Sequence, residues 1–312
     1  MKTTFRAREP YAGVLLKCAR EAACNSPARP ERFIKAMKQN RGSIGLISGM
    51  GLDGEGLERK NPVIAALGDS VTAGRFEGTI LNPVDNGTRL KGMAALAKME
   101  LSEDVLAAAA ADHRVFVEYV AKIVNALPEG VGFPCGEISD ARESYVEKFR
   151  CKLIDKFEET SVSAINAGIA GDSLIGMEKR LERDVLRYQP DLVLINGSLN
   201  WDDHMGTTAF YKALLEKVVS RLQEHTEADI ILLTPNGMVG DEHACKRLDE
   251  RVEAIREVAA EKTVCLADVY AVWEKARDMG CPWEELLANR FNHPGVEGHE
   301  VYAITLMKLF ED

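Results

Sequence analysis

Four short stretches of this chain carry groups that could act together on an acyl carbon. The first is Gly68-Asp69-Ser70, which closes the apolar run 63–67. The second is Asn166-Ala167-Gly168-Ile169-Ala170-Gly171, whose glycines allow a ligand to approach backbone N–H groups closely. The third, Ser198-Leu199-Asn200-Trp201, offers a side-chain amide just past another buried run. The fourth, Asn289-Arg290-Phe291-Asn292-His293-Pro294, supplies a histidine shortly before the final helix. A hydroxyl, a base and N–H donors for an anionic oxygen are the parts needed for nucleophilic acyl transfer. Each stretch also has a plainer reading. Ser70 suits a helix N-cap, Gly171 a turn, Asn200 an Asx-turn and His293 a capping or surface position. Asp69 is read as holding its own loop by accepting local N–H groups.

The argument for chemistry rests on where the elements place these stretches. A five-residue apolar run ending in Gly-Asp-Ser reads as a buried parallel strand delivering a serine at its carboxyl end. Further strands are predicted at 162–166, 192–195, 230–234 and 264–266, with helices at 174–187, 208–225 and 241–261 between them. Strands alternating with helices argue a doubly wound parallel sheet covered on both faces, with ligands at the carboxyl edge. A last helix is predicted over 298–310. About 90 residues separate the first two strands, far beyond the roughly 30 of a whole βαβ unit. Helices are predicted there at 90–98, 103–127 and 144–159, with a loop at 128–137, so a helical insertion spans about 88–160. It is read as a cap or rim over the catalytic edge. Residues 1–60 carry no clean period beyond a short helix at 30–38, and form an N-terminal extension of unassigned role beside a main domain at 61–312.

Bulk properties remove several classes of partner. A formal net charge of -10 over 312 residues opposes binding to nucleic acid or to an anionic membrane surface. No stretch approaches 18 uncharged apolar residues, and no apolar segment follows Lys2, Arg6 and Arg8, so neither a membrane span nor a secretory signal is expected. Seven scattered cysteines without a C-x-x-C spacing read as reduced thiols in a cytoplasm. Gly49-Met50-Gly51-Leu52-Asp53-Gly54 has the form G-x-G-x-x-G, but Gly56 and Pro62 come where a helix should open, so no nucleotide cofactor is expected. Asp203 and His204 lack a third ligand at a suitable spacing, so no metal is expected either. Self-association is left open.

Gly68-Asp69-Ser70, Gly171, Asn200 and His293 resemble, in order, the four blocks of the SGNH (GDSL-type) hydrolase superfamily, over roughly residues 61–312. The resemblance implies a flavodoxin-like three-layer α/β/α sandwich and ester hydrolysis through an acyl-serine, without cofactor. It implies Ser70 as nucleophile and His293 as base. The Ser70 N–H, the Gly171 N–H and the Asn200 amide would form the oxyanion hole. Two positions depart from the pattern. Arg290 stands where the family carries an aspartate that orients the imidazole. That task then falls to Asn289, Asn292, a carbonyl of the turn or a carboxylate from another loop. The third block, Ser198-Leu199-Asn200-Trp201, resembles the variant of carbohydrate-active members, as does the final Asn-His-Pro. The expected substrate is therefore a short-chain ester, acetyl above all, on a small molecule or oligosaccharide, with Trp201 and Asp202 against the sugar. A lipid esterase or thioesterase using apolar residues of 88–127 as an acyl groove is one rival. An inactive binding module is the other.

Overall fold

Side-chain alternation along the central strands fixes the layering of the molecule. The computed structural model describes residues 7–41, 61–76, 85–126, 140–158, 160–240 and 242–311. Two helices come first, α1 (Tyr11–Glu21) and α2 (Glu31–Arg41). Strand β1 (Val63–Gly68) then runs into a single helical turn, α3 (Ser70–Ala73). Helices α4 (Asn86–Leu96), α5 (Glu103–Ala111), α6 (His113–Ala126) and α7 (Tyr145–Lys156) come next. The remainder alternates: β2 (Ser163–Gly168), α8 (Leu174–Asp184), β3 (Leu192–Asn196), α9 (Thr208–His225), β4 (Asp229–Leu233), α10 (Glu242–Glu261) and β5 (Cys265–Ala267). The chain closes with α11 (Val269–Asp278), α12 (Trp283–Leu286) and α13 (Val296–Met307).

All four strand pairings are parallel, in the order β2-β1-β3-β4-β5. Ile64 and Ala66 of β1, with Leu192 and Leu194 of β3, join one apolar cluster with α1, α7, α11 and α13. Their neighbours Ala65, Leu67, Val193 and Ile195 join a second cluster with α8, α9 and the far half of α10. The period of two along each strand therefore feeds two separate helix layers, giving the three-layer α/β sandwich expected from the sequence. Strand order reverses at β1, so the crevice beyond the carboxyl ends of β1, β2 and β3 is the switch point where such sheets bind ligands.

Several elements differ from the sequence reading. Helix α1 is absent from it, because its inward residues Ala12, Leu15, Cys18 and Ala19 are mostly small and give a weak apolar period. The single helix read at 103–127 breaks at Asp112, whose extended backbone ends α5 and whose side chain accepts the Arg114 N–H. Helix α7 is not part of the insertion: Tyr145, Phe149 and Leu153 enter the main core. The insertion proper, α4 to α6, buries its own cluster of Leu90, Ala94, Leu106, Ala109 and Ile123. Residues 49–54 and the loop read at 128–137 lie outside the described residues. Helix α2 covers the entrance side of the sheet, where the Phe33 N–H donates to Asp229 of β4 at 2.8 Å and Asn40 to the Ser161 carbonyl before β2. Of the extension, residues 7 and 8 reach nearer the histidine: the Ala7 N–H donates to Glu297 at 2.7 Å and the Arg8 N–H to the Glu285 carbonyl at 3.1 Å.

Candidate active site

Register brings the first three stretches to one level. Gly68 of β1 lies opposite Gly168 of β2 on one side and Asn196 of β3 on the other. The loops that leave these three strands therefore emerge at the same edge. After β1, Asp69 caps α3 by accepting the Val71 N–H at 2.9 Å, and Ser70 is the first helical residue. The capping role that a serine here could have had belongs to Asp69, which leaves the Ser70 hydroxyl available. Gly168 has no room for a side chain, because a Cβ there would run into the backbone of Thr72 and Ala73. This close approach seats α3 against the end of β2.

The Ser70 hydroxyl lies 2.8 Å from His293 Nε2, and both residues are buried. His293 sits on a small antiparallel turn closed by the Leu287–Pro294 bridge and by the Ala288 N–H to the His293 carbonyl at 2.8 Å. Asn289 organises that turn: its Oδ1 accepts the N–H groups of Phe291, Asn292 and His293, and its Nδ2 donates to Asn292 Oδ1. Asn289 thus holds the backbone that carries the imidazole, and both its polar ends are engaged in doing so. Arg290 adopts φ +59°, and its guanidinium turns toward Glu285 at 3.9 Å. Burial, helped by the positive charge of Arg75, pulls the His293 imidazole down to about 4. It is therefore neutral at ordinary pH, as a base must be before it takes a proton.

The second stretch forms a turn after β2. The Asp172 N–H closes on the Ile169 carbonyl at 3.2 Å, with Gly171 in the third position at φ +75°. That backbone conformation strains a residue with a Cβ, which explains the glycine. The Ile169 N–H donates to the Gly68 carbonyl at 3.1 Å, joining this turn to the strand that carries Ser70. From the third stretch, Asn200 Nδ2 donates to the Asp172 carbonyl at 3.1 Å. The amide and the Gly171 turn are thus directly bonded. In this arrangement Asn200 and the N–H groups of Gly171 and Ser70 are the candidates to stabilise an oxyanion. Replacing Asn200 with alanine is expected to lower kcat by about 100-fold or more with little change in KM. Steady-state kinetics on an activated acetate ester would show it, and a loss confined to KM would remove Asn200 from this role.

Two further sequence assignments meet a different outcome. Trp201 is buried, its indole N–H donates to the Gly206 carbonyl at 3.0 Å, and its ring packs on Phe210 and Tyr211. A ring so enclosed has no free face for a sugar. Asp202 Oδ1 accepts the N–H groups of His204 and Met205, so its carboxylate folds the loop back on itself. Burial drives the Asp69 carboxyl up to about 7, against the pull of the Val71 and Thr72 N–H groups.

Other contributors were not evident from the sequence. Asn236, in the loop after β4, donates to the Asn292 carbonyl at 2.9 Å, while its own N–H and Oδ1 are held by the Tyr302 hydroxyl. Arg251 of α10 donates to the Ser198 carbonyl at 3.1 Å, and Arg180 of α8 reaches the ends of β1 and β2. Both arginines are buried on the inward stripes of their helices. A charged residue at an apolar-face position is the signal that could have singled them out.

Comparison with known proteins bears on the family and the fold. A profile of the GDSL-like Lipase/Acylhydrolase family matches residues 127–301, which include Gly171, Asn200 and His293. Ser70 precedes the matched residues, separated from them by α4 to α6. An acetylxylan esterase of Geobacillus stearothermophilus is 25% identical over 201 residues, covering 59% of this chain and 86% of that protein. Among solved structures, a variant of Axe2, an acetyl xylan esterase of the same organism, superposes with a TM-score of 0.52 at 19% identity over 80% of this chain and 94% of that one. LAE5, an α/β hydrolase from the metagenome of Lake Arreo, Spain, gives 0.51 at 21% identity, again over 80% and 94% of the two chains.

Proposed function

This chain belongs to the GDSL-like lipase/acylhydrolase family, whose members are ester-hydrolysing serine hydrolases, and from that premise we propose that it removes short acyl groups, acetyl above all, from carbohydrate esters. The observation that carries the reading is the buried contact of 2.8 Å between Ser70 Oγ and His293 Nε2 at the switch-point edge. His293 takes the hydroxyl proton as Ser70 attacks the ester carbonyl. The Gly171 and Ser70 N–H groups and the Asn200 amide receive the developing oxyanion. The protonated imidazole then gives its proton to the departing alcohol, and water, activated by the same histidine, releases the acid from the acyl-serine.

Support for a short acyl group comes from exposure: Ser70 is 5% and His293 3% accessible, which leaves little of either open to a bulky acyl chain. Support for a carbohydrate comes from the acetylxylan esterase relative and from the Ser-Leu-Asn-Trp form of the third stretch. The described apolar residues of the insertion, which would have lined a lipid groove, are packed against one another, which argues against the lipid reading. The substrate is thus a small-molecule or oligosaccharide ester. No helix among the described residues is long and apolar enough to cross a membrane. A cytoplasmic site, as the scattered thiols suggest, would place this deacylation on imported saccharides.

Profiling of p-nitrophenyl esters by chain length, alongside acetylated xylo-oligosaccharides, tests the reading. The rate is expected to be greatest on acetyl and to fall at least about tenfold by octanoyl, since each extra methylene must find apolar surface beside two buried catalytic groups. A maximum at octanoyl or longer would end the carbohydrate acetylesterase proposal.

A further inference from the structure

Arg180 spends its guanidinium on the catalytic edge. It lies on the buried stripe of α8 with Leu174, Met177 and Leu181. Nη2 donates to the Gly68 carbonyl at 2.9 Å, and Nη1 to the Ala167 carbonyl at 2.6 Å. Nε donates to Asp172 Oδ2 at 2.6 Å, and Nη1 also meets Asp184 at 3.0 Å. The two carboxylates offset the charge that burial would otherwise penalise.

The three contacts at the edge, two to backbone carbonyls and one to a carboxylate, fall on the three segments that matter. Gly68 is two residues before Ser70. Ala167 is the next-to-last residue of β2, ahead of the glycine turn. Asp172 follows Gly171 directly, and its carbonyl accepts the Asn200 amide. A planar fork with several donors can bind these three acceptors at fixed mutual angles, whereas an ammonium cannot. Oxyanion donors help only when held within a few tenths of an ångström of their place.

We propose that Arg180 is a positioning residue that sets the oxyanion hole, locking the Ser70 turn, the Gly171 turn and the Asn200 amide into one geometry. The proposal rests on the serine-esterase reading and extends it to a residue that never touches substrate. Conversion of Arg180→Lys is expected to lower kcat by about 10–100-fold while KM changes less than about threefold. In an Asn200→Ala background the same change is expected to cost distinctly less, because one of the donors it places is gone. Equal losses in the two backgrounds, or a lowered melting temperature with kcat unchanged, would overturn the assignment. Should the lysine variant not fold, Asp172→Asn carries the same cycle, since it keeps the side-chain shape and removes the carboxylate that Arg180 grips. Labelling of the unmodified chain with a fluorophosphonate separates the two levels. A labelled Ser70 with additive variants sinks only the role of Arg180, whereas an unlabelled Ser70 in folded protein sinks the esterase reading with it.

Discussion

Ser70→Ala is expected to lower kcat on p-nitrophenyl acetate by on the order of 10⁵-fold while leaving the fold nearly as stable as before. The two halves of this expectation have separate physical origins. Without the hydroxyl no acyl-serine forms, and only the oxyanion donors and substrate binding remain to assist attack by water. Stability is spared because Asp69, not Ser70, caps α3, and because the Ser70 carbonyl that receives the Arg75 N–H is unaffected. The methyl group gives up one hydrogen bond, to His293, at a cost of about 1 kcal/mol. Kinetics and thermal melting on the same sample measure both halves. A variant that keeps a tenth of the activity would show that Ser70 is not the nucleophile. A variant that melts far lower would show that the hydroxyl has a structural task.

His293→Ala is expected to cost about 10⁴-fold or more in kcat, because the serine keeps its proton and the alcohol leaves without one. The unmodified chain offers a second reading of the same residue through pH. The imidazole is active when neutral, and burial holds it neutral down to about 4. The acid limb of kcat/KM should therefore have its midpoint near 4 rather than at the ordinary 6.5 of histidine. Stability tracks the same group. The unfolded chain takes up a proton near 6.5 and the folded one only near 4. The contribution of neutral His293 is thus complete above 6.5 and fades as pH falls toward 4. A limb at 6.5 that is lost in no His293 variant would assign the base elsewhere.

The sequence exposed those parts of the fold whose side chains have strong periods. Strands β1, β3 and β4 are each built on an apolar run of at least four residues, and α9 is recovered to the residue, since buried parallel strands and amphipathic helices announce themselves in composition. Helix α1 escaped because small residues line its inner face. Helix α7 was placed with the insertion because the distance along the chain says nothing about which core its Tyr145 and Phe149 will enter. At the site, order along the chain was enough to nominate Ser70, Gly171, Asn200 and His293, and Ser70 and His293 meet at 2.8 Å. Trp201 was misjudged for a tertiary reason: its loop folds back onto α9, so Phe210 and Tyr211 enclose a ring that adjacency to Asn200 seemed to offer to solvent. Asn236 and Arg180 escaped for a related reason. Each reaches the site through backbone carbonyls, and a carbonyl leaves no trace in residue identity.

The insertion between β1 and β2 keeps an apolar interior of its own, half of it alanine. Its buried side chains are few and small, so little apolar burial offsets the entropy of ordering three helices. The amide protons of this bundle should therefore exchange with solvent well before those of β1 and β3.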